Sequence, residues 1–515
     1  MINQEPAIAR KSKTLPTLNS PPVSRVTWSQ PMAALLLTIT YLLVAFALRV
    51  PLEQNKMPIS GDEHHYITQA LSLLDDGDLV VLDDYQQGLY VPYLGGELDP
   101  SMWNLIGDAG YSGHSPGVGV LTTVGIWTGG WSGVVLVMGL SMGVAFWLTT
   151  AVAEGLSGAR LSPIGLFALV GGFLSLPLLS YSHTLYPESF MAPLMAGLML
   201  IVIKHAQPAE HRQSLLAFGA LSLTGLSIAL HPKYSVFHVG MIAYLVVVEV
   251  WDEFNESQML RLRRPLIYTA YGALWLLLAS WLHDVMWDTF SPTGWFSSAE
   301  AGKAIEPSVA MAQFIDLFFG SEFGLFVLAP ICLLGIVYFL RTLRRPLVSI
   351  GTRFTLFALI ALLAIAGPAA FSSDWHGGDS PLARYLTPLV PVLLVAAAAQ
   401  AQRARHRILS SFMLGLLTGT GLIWGVAYLA VPTGFRPKVF GTPGAFGVAS
   451  DVAPVFAQIE AALWTSSRPS PLASTIILFA VLLGLSAWLF AKREGSASPP
   501  LGDSIAGDGY EVGAP

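Results

Sequence analysis

Twelve stretches of this chain are each long and apolar enough to cross a bilayer, and nothing else constrains its fold so strongly. The first, "PMAALLLTITYLLVAFALRVP" at 31–51, is followed by runs near 133–153, 162–182, 187–205, 213–230, 234–250, 266–285, 319–340, 353–371, 385–401, 408–430 and 472–491. A span needs about 20 mostly apolar residues, because a helix rises about 1.5 Å per residue across a hydrocarbon core about 30 Å thick. Inside lipid the backbone must satisfy its own polar groups, so each run is expected to be helical. Composition agrees: 53% of residues are hydrophobic and 12% charged, against about 25% charged in soluble domains. The expected fold class is an all-α polytopic membrane protein of twelve transmembrane helices.

Orientation follows from the basic residues. The polar stretch 1–30 carries Arg10, Lys11, Lys13 and Arg25, and later clusters lie at Lys204 to Arg212, 261–264, 341–345, 403–407 and Lys492 with Arg493. Such loops stay cytoplasmic. One further run, "PGVGVLTTVGIWTGG" at 116–130, is short for a span, and counting it would put all the later basic loops outside. It is expected to be an interfacial or re-entrant helix. Both termini are then cytoplasmic, with 1–30 a tail, 31–491 the membrane domain and 494–515, rich in Gly, Ser, Pro and Asp, a disordered tail. The long first polar stretch, with no small-residue cleavage site behind the apolar run, marks the first span as uncleaved. Segments 52–132, 183–186, 286–318, 372–384 and 431–471 share the outer side. The single Cys332 excludes an intrachain disulfide.

The first outer loop, 52–132, opens with a dense polar stretch, "SGDEHHYITQALSLLDDGDL" at 60–79. Ile67, Ala70, Leu71 and Leu74 recur at helical spacing, which predicts a helix over 60–75 with that face on the membrane or on other helices. Asp62, His65, Gln69 and Ser72 share the opposite face, while Glu63 points nearer the apolar stripe. Ser60 and Glu63 fit a capping box, in which each side chain bonds the other's amide. A polar patch at this place suits a catalytic carboxylate, an ion pathway or a hard cation. For a cation, Asp62 and His65 would need oxygen ligands from Asp83, Asp84 or Asp99.

A first span followed by "DEHHY" at 62–66 resembles the Asp-Glu-x-His-aromatic motif of the protein O-mannosyltransferases and their bacterial relatives, members of the GT-C class of glycosyltransferases. "HSP" at 114–116 is similar to the His-Pro-Pro motif that opens an interfacial helix in that group, with Ser115 in place of the first Pro. "YSHTLYPES" at 181–189, "FGSEFGLFVLAP" at 319–330 and "WHGGDSPLARYLTPLVP" at 375–391 look like motifs of bacterial mannosyltransferase-like membrane proteins.

The resemblance implies transfer of a sugar from a polyprenyl phosphate to an acceptor hydroxyl on the outer side of a bacterial inner membrane, with inversion at the anomeric carbon. Asp62 matches the family's catalytic carboxylate, and Glu63 stands beside it as the other catalytic candidate. His65 would orient Asp62 or bind the acceptor, and Gln69 and His114 are further substrate-binding candidates. Arg384, in a match to the family's Arg-Tyr-Leu motif, would meet the departing phosphate. Lys233, with His231 nearby, is a second cation placed there by orientation alone. Glu188, costly if it faced lipid, would face the cavity, and Trp375, His376, Asp379 and Tyr385 would line the sugar subsite. No cofactor is required, although a divalent cation could assist. The expected partners are the lipid-linked donor, membrane lipids and an unidentified acceptor, with no nucleic acid. A transporter or flippase is the competing reading, and a catalytically inert scaffold a third. Against the transporter, nearly all charges fall at the ends of spans, with Glu322 the main exception.

Overall fold

The computed structural model describes residues 29–49, 59, 61–94, 96–100, 103–207, 210–255, 262–293, 305–320, 324–347, 349–372, 380–404 and 408–430. The expected loop 431–471, the last expected span 472–491 and both tails outside these limits lie beyond the described residues. Among the described residues, nine helices are long and apolar enough to cross a membrane. They coincide with nine of the twelve runs. The protein is an all-α polytopic membrane protein.

The first helix, α1 (Ser29–Arg49), turns Leu35, Leu36 and Leu43 outward and packs its other side against α5 (Pro116–Ser157). Small residues let the two backbones approach, as in many membrane helix pairs. A Cβ on Gly139 would stand 2.6 Å from Leu42, and one on Gly143 would clash with the Thr38 hydroxyl. Tyr41, fully buried, donates to the carbonyl of Phe173 at 2.6 Å.

α5 is two helices joined at a break. Gly129 and Gly130 leave helical geometry, and Gly130 takes φ 57° with ψ −141°, a conformation that needs glycine. Residues nine apart in a straight helix are about 13.5 Å apart along its axis. Here a Cβ on Gly125 would lie 2.6 Å from the Cα of Val134, so the chain turns back on itself. The short run at 116–130 thus forms a separate arm against the span behind it. Its outer face carries exposed Val120, Val124 and Trp127.

Two expected spans are broken. Within 162–182, α6 (Pro163–Phe173) stops before Pro177, and only the single turn α7 (Leu178–Tyr181) follows. Pro177 has no amide to continue the ladder. Within 319–340, the chain leaves helical geometry at Gly320, and Ala329, which precedes Pro330, takes φ −132° and ψ 70°. Helix Pro307–Phe319, expected to be loop, precedes that break, and the turn Leu325–Leu328 and helix Cys332–Thr342 follow it.

The remaining helices are α8 (Pro187–His205), α9 (Glu210–Leu230), α10 (Tyr234–Asn255), α11 (Arg263–Trp287), Ile350–Ala370, Val390–Ala404 behind a 3-10 turn at Arg384–Leu389, and Ile408–Ala430. The first outer loop supplies α2 (Glu63–Asp75), the short helices α3 (Leu82–Gln87) and α4 (Val91–Leu94), and a two-stranded hairpin pairing Leu105 with Ser112 and Ile106 with Tyr111. It has its own small core of Val81, Tyr85 and Tyr90, with Trp103 stacked on Tyr85 at 5.2 Å. Trp287 ties it to α11 by donating to the Ser112 carbonyl at 2.9 Å.

The close α1–α5 contact gives a direct test. Gly143→Leu is expected to lower the melting temperature in detergent, at a cost of about 1–3 kcal/mol from overpacking. Gly197→Ala, whose added Cβ would find its nearest neighbour 3.9 Å away, should leave it unchanged or slightly raised. Equal melting temperatures for Gly143→Leu and wild type would remove that contact from the fold's essentials.

Candidate active site

Topology brings the chemistry to one end of the bundle. The end of α1, the starts of α2 and α8, the turn between α9 and α10, and the start of the 3-10 turn carry Arg49, Asp62, Glu188, Lys233 and Arg384. Of these, Asp62, Glu188, Lys233 and Arg384 form one network. Arg384 Nη2 donates to Asp62 Oδ2 at 2.6 Å, and Arg384 Nε lies 3.5 Å from Glu188 Oε1. The same Glu188 oxygen accepts from the Lys233 ammonium. Aromatic faces seat both cations: Arg384 stands 4.6 Å over Tyr186, and Lys233 4.6 Å over Tyr385 and 5.2 Å over Tyr234.

Exposure separates the roles. The Glu188 side chain is 0% exposed and that of Arg384 8%, whereas Asp62 retains 26% and Lys233 17%. Asp62 is therefore the most accessible member. Burial by itself would raise the Asp62 carboxyl, but the Arg384 guanidinium, with His114 and His65 adding smaller effects, holds it well below the usual carboxylate range. Burial pushes Lys233 down to about 8 despite the opposing pull of Glu188, and pushes His114 down to about 4.

Glu63 has a different job from its neighbour. Its carboxylate is fully buried, receives Arg49 Nη2 at 2.7 Å, and accepts the Leu185 amide at 2.8 Å. Ser60, the other half of the expected capping box, lies outside the described residues. The helix begins at Glu63 itself, the preceding Asp62 makes no side-chain cap bond, and the Glu63 carboxylate is committed to Arg49 and Leu185. Trp131 completes the clamp, lying 4.9 Å beneath the Arg49 guanidinium and donating its indole N–H to the Arg49 carbonyl at 2.9 Å. One ion pair thus fixes the end of α1, the start of α2 and the segment leading to Glu188.

Of the two seats expected for the apolar face of α2, the structure shows the one against other helices, with Leu74 left exposed. α2 is buried on nearly all sides, including Glu63, His64, His65, Tyr66, Ile67, Thr68, Gln69, Ala70 and Ser72, because the arm of α5 covers it. Gln69 donates to the His114 carbonyl at 2.7 Å and so fastens the turn ahead of α5 to α2. His65 bonds the Tyr85 hydroxyl at 2.9 Å and stacks on His114 at 4.4 Å, and His114 reaches Asn104 at 3.3 Å. Both histidines lie near enough to Asp62 to act on its carboxyl. Among the described residues no three His, Cys, Asp or Glu side chains are grouped to hold a metal ion.

Trp375, His376, Asp379 and Glu322 lie outside the described residues. The sequence did not single out Arg49, Tyr66, Tyr186 or Tyr234. Arg49, a cation in the last turn of the first span and a short loop away from a carboxylate, carried a readable signal. The tyrosines carried none beyond their frequency at membrane interfaces.

This geometry, on this fold, defines a class of membrane protein. No family model and no curated protein matches the sequence. Among solved structures the chain is similar to ArnT from Cupriavidus metallidurans bound to undecaprenyl phosphate, with TM-score 0.51 and 14% identity over 90% of this chain and 76% of that one. Apo ArnT from the same organism is also matched, with TM-score 0.48 and 15% identity over the same shares. The likeness is one of fold: this chain has the GT-C architecture of ArnT, a GT-C glycosyltransferase.

The clamp should be worth more than a surface pair, since removing one partner strands a buried charge. Glu63→Ala is expected to cost about 3–5 kcal/mol, and Arg49→Met with Glu63→Leu to recover most of that loss. Thermal unfolding of the two variants in detergent reads the difference. A Glu63→Ala protein as stable as wild type would show that the clamp holds nothing.

Proposed function

We propose that the chain is an inverting glycosyltransferase that moves a sugar from a polyprenyl-phosphate donor to an acceptor hydroxyl. The observation that carries this reading is the cluster of Asp62, Arg384, Glu188 and Lys233, two cations held by a buried carboxylate beside a more accessible one. The GT-C architecture supports it, as does the undecaprenyl phosphate bound by the structural neighbour.

In the proposed reaction the acceptor oxygen attacks the anomeric carbon as its proton passes to a carboxylate oxygen of Asp62. The bond from that carbon to the phosphate oxygen breaks, and the polyprenyl phosphate departs with one more negative charge. Arg384 and Lys233 meet that charge in a poorly solvated site, where preoriented cations act most strongly. The start of α8 adds its helix dipole. His65 and His114, kept neutral by burial, offer hydrogen bonds to the acceptor without competing for the phosphate. Glu63 takes no part in proton transfer because its carboxylate belongs to the Arg49 clamp. With the first span leaving a cytoplasmic N-terminus, the reaction runs on the outer face of the inner membrane.

A transporter reading finds less support. The ion-paired charges described here sit at helix ends: Arg49, Glu188, Lys233 and Arg384 at one end of the bundle, and Glu249, Asp252 and Arg353 near the ends of other helices. A transport path calls for polar groups along its length.

Transfer from radiolabelled polyprenyl-phosphate sugars into an envelope extract tests the reading. Asp62→Asn is expected to lower turnover by about 100-fold or more, and Arg384→Ala to impair donor use more than acceptor use. Wild type that consumes no donor, or an Asp62→Asn variant as active as wild type, would sink it.

The pH dependence has a definite sign. Lys233 is charged below about 8 and loses its proton as pH rises through that value. Since kcat/KM reports the free enzyme, kcat/KM for donor should fall on the alkaline side of about 8, and Lys233→Arg should remove that limb. An identical profile in the variant would take Lys233 out of the donor site.

A further inference from the structure

The cations that a departing phosphate needs are already engaged. Arg384 Nη2 is on Asp62 at 2.6 Å, its Nε faces Glu188 at 3.5 Å, and Lys233 is on the same Glu188 oxygen. Two carboxylates and two cations sum to no net charge. An anion entering here cannot take Arg384 without competing with Asp62, the group assigned above as base. Resting on that assignment, we propose that the donor phosphate displaces Asp62 from Arg384, so that Asp62 becomes an effective base only when the donor is bound. Glu188 is the resting counter-ion that keeps Arg384 and Lys233 in place until then.

Three observations make the exchange feasible. Arg384 is seated over Tyr186 at 4.6 Å and near Tyr385 at 5.8 Å, so its fork can turn from one anion to another without the side chain leaving its seat. Glu188 is wholly buried and its Oε2 has no hydrogen-bond partner among the described residues, so it remains as a fixed countercharge. Asp62 is the most accessible of the four and can receive an acceptor hydroxyl once released.

The groups around Asp62 leave Arg384 as its principal control. His65 and Tyr66 face it from α2, His114 from the turn before α5, Glu188 from α8, and His231 and Lys233 from the turn before α10. Burial keeps the three histidines largely neutral, and Lys233 is paired to Glu188. With Arg384 on the phosphate, burial is the dominant remaining influence and raises the proton affinity of Asp62, which strengthens it as a base.

Linkage gives the test. If phosphate binding raises the proton affinity of Asp62, neutralising Asp62 must tighten phosphate binding by a matching factor. Undecaprenyl phosphate binding is measured in lipid nanodiscs for wild type, Asp62→Asn, Arg384→Ala and the double variant, each checked for a wild-type melting profile. Asp62→Asn is expected to abolish transfer yet bind undecaprenyl phosphate about tenfold more tightly. That gain should vanish in the Arg384→Ala background. A second arm avoids mutation: wild type should bind a polyprenyl methyl phosphodiester, whose charge does not titrate in this range, more tightly as pH is lowered below the range in which Lys233 gains its proton, near 8. Binding by wild type with no tightening in Asp62→Asn overturns the exchange while leaving the transferase reading intact, as does a gain that persists without Arg384 or a phosphodiester affinity that ignores pH. No binding of either polyprenyl phosphate by wild type overturns both.

Discussion

The Arg49–Glu63 pair is the contact on which the site's geometry depends. Two fully buried charges in an apolar bundle are costly unless each is matched, and here the match reaches three chain segments: the last turn of α1, the first residue of α2 and the amide of Leu185. Asp62 precedes Glu63, and Glu188 follows Leu185 by three residues. The clamp therefore sets Asp62 and Glu188 in register with each other before Arg384 and Lys233 are added. Trp131, held to the Arg49 carbonyl just behind the break at Gly129 and Gly130, brings the α5 hairpin into the same register.

Much of this architecture was legible in the sequence because lipid imposes one rule, continuous apolar length, that can be read without knowing any contact. Nine of the expected spans are helices of that length, and the short run at 116–130 folds back where glycine permits. The rule fails where an apolar run is interrupted inside the protein. Pro177, Pro330 and Gly320 break helices at places where tertiary burial, rather than an unbroken backbone ladder, keeps the segment in the bundle. Hydropathy cannot tell those segments from continuous spans.

The site divides in the same manner. Asp62, Glu188, Lys233 and Arg384 could be placed on one side of the membrane from topology, and they meet there. What spacing could not show is the partner of each. Helical periodicity put Glu63 nearer an apolar stripe but could not pair it with Arg49, which belongs to another helix and is invisible to a rule about neighbours in sequence. Periodicity left the stripe to face either the membrane or other helices, and the α5 arm, a contact distant in sequence, decides for the second.

Charge balance explains why such a site can be both buried and receptive. The four ionised side chains cancel, which makes the empty site tolerable in a low-dielectric surrounding. The backbone cancels only in part, since the C-terminus of α9 at Leu230 meets three helix N-termini here. The N-termini of α8 and α10 lie at this cluster, and that of α5 reaches it through His114. Each helix N-terminus carries a partial positive charge of about one half, so a locus with no net side-chain charge still presents a positive potential. An incoming anion is drawn by that fixed field before any side chain moves, and the cost of separating Arg384 from Asp62 is offset by an interaction already in place. Buried carboxylates beside the cations are thus compatible with anion binding: they hold the cations apart and oriented while the helix ends supply the attraction.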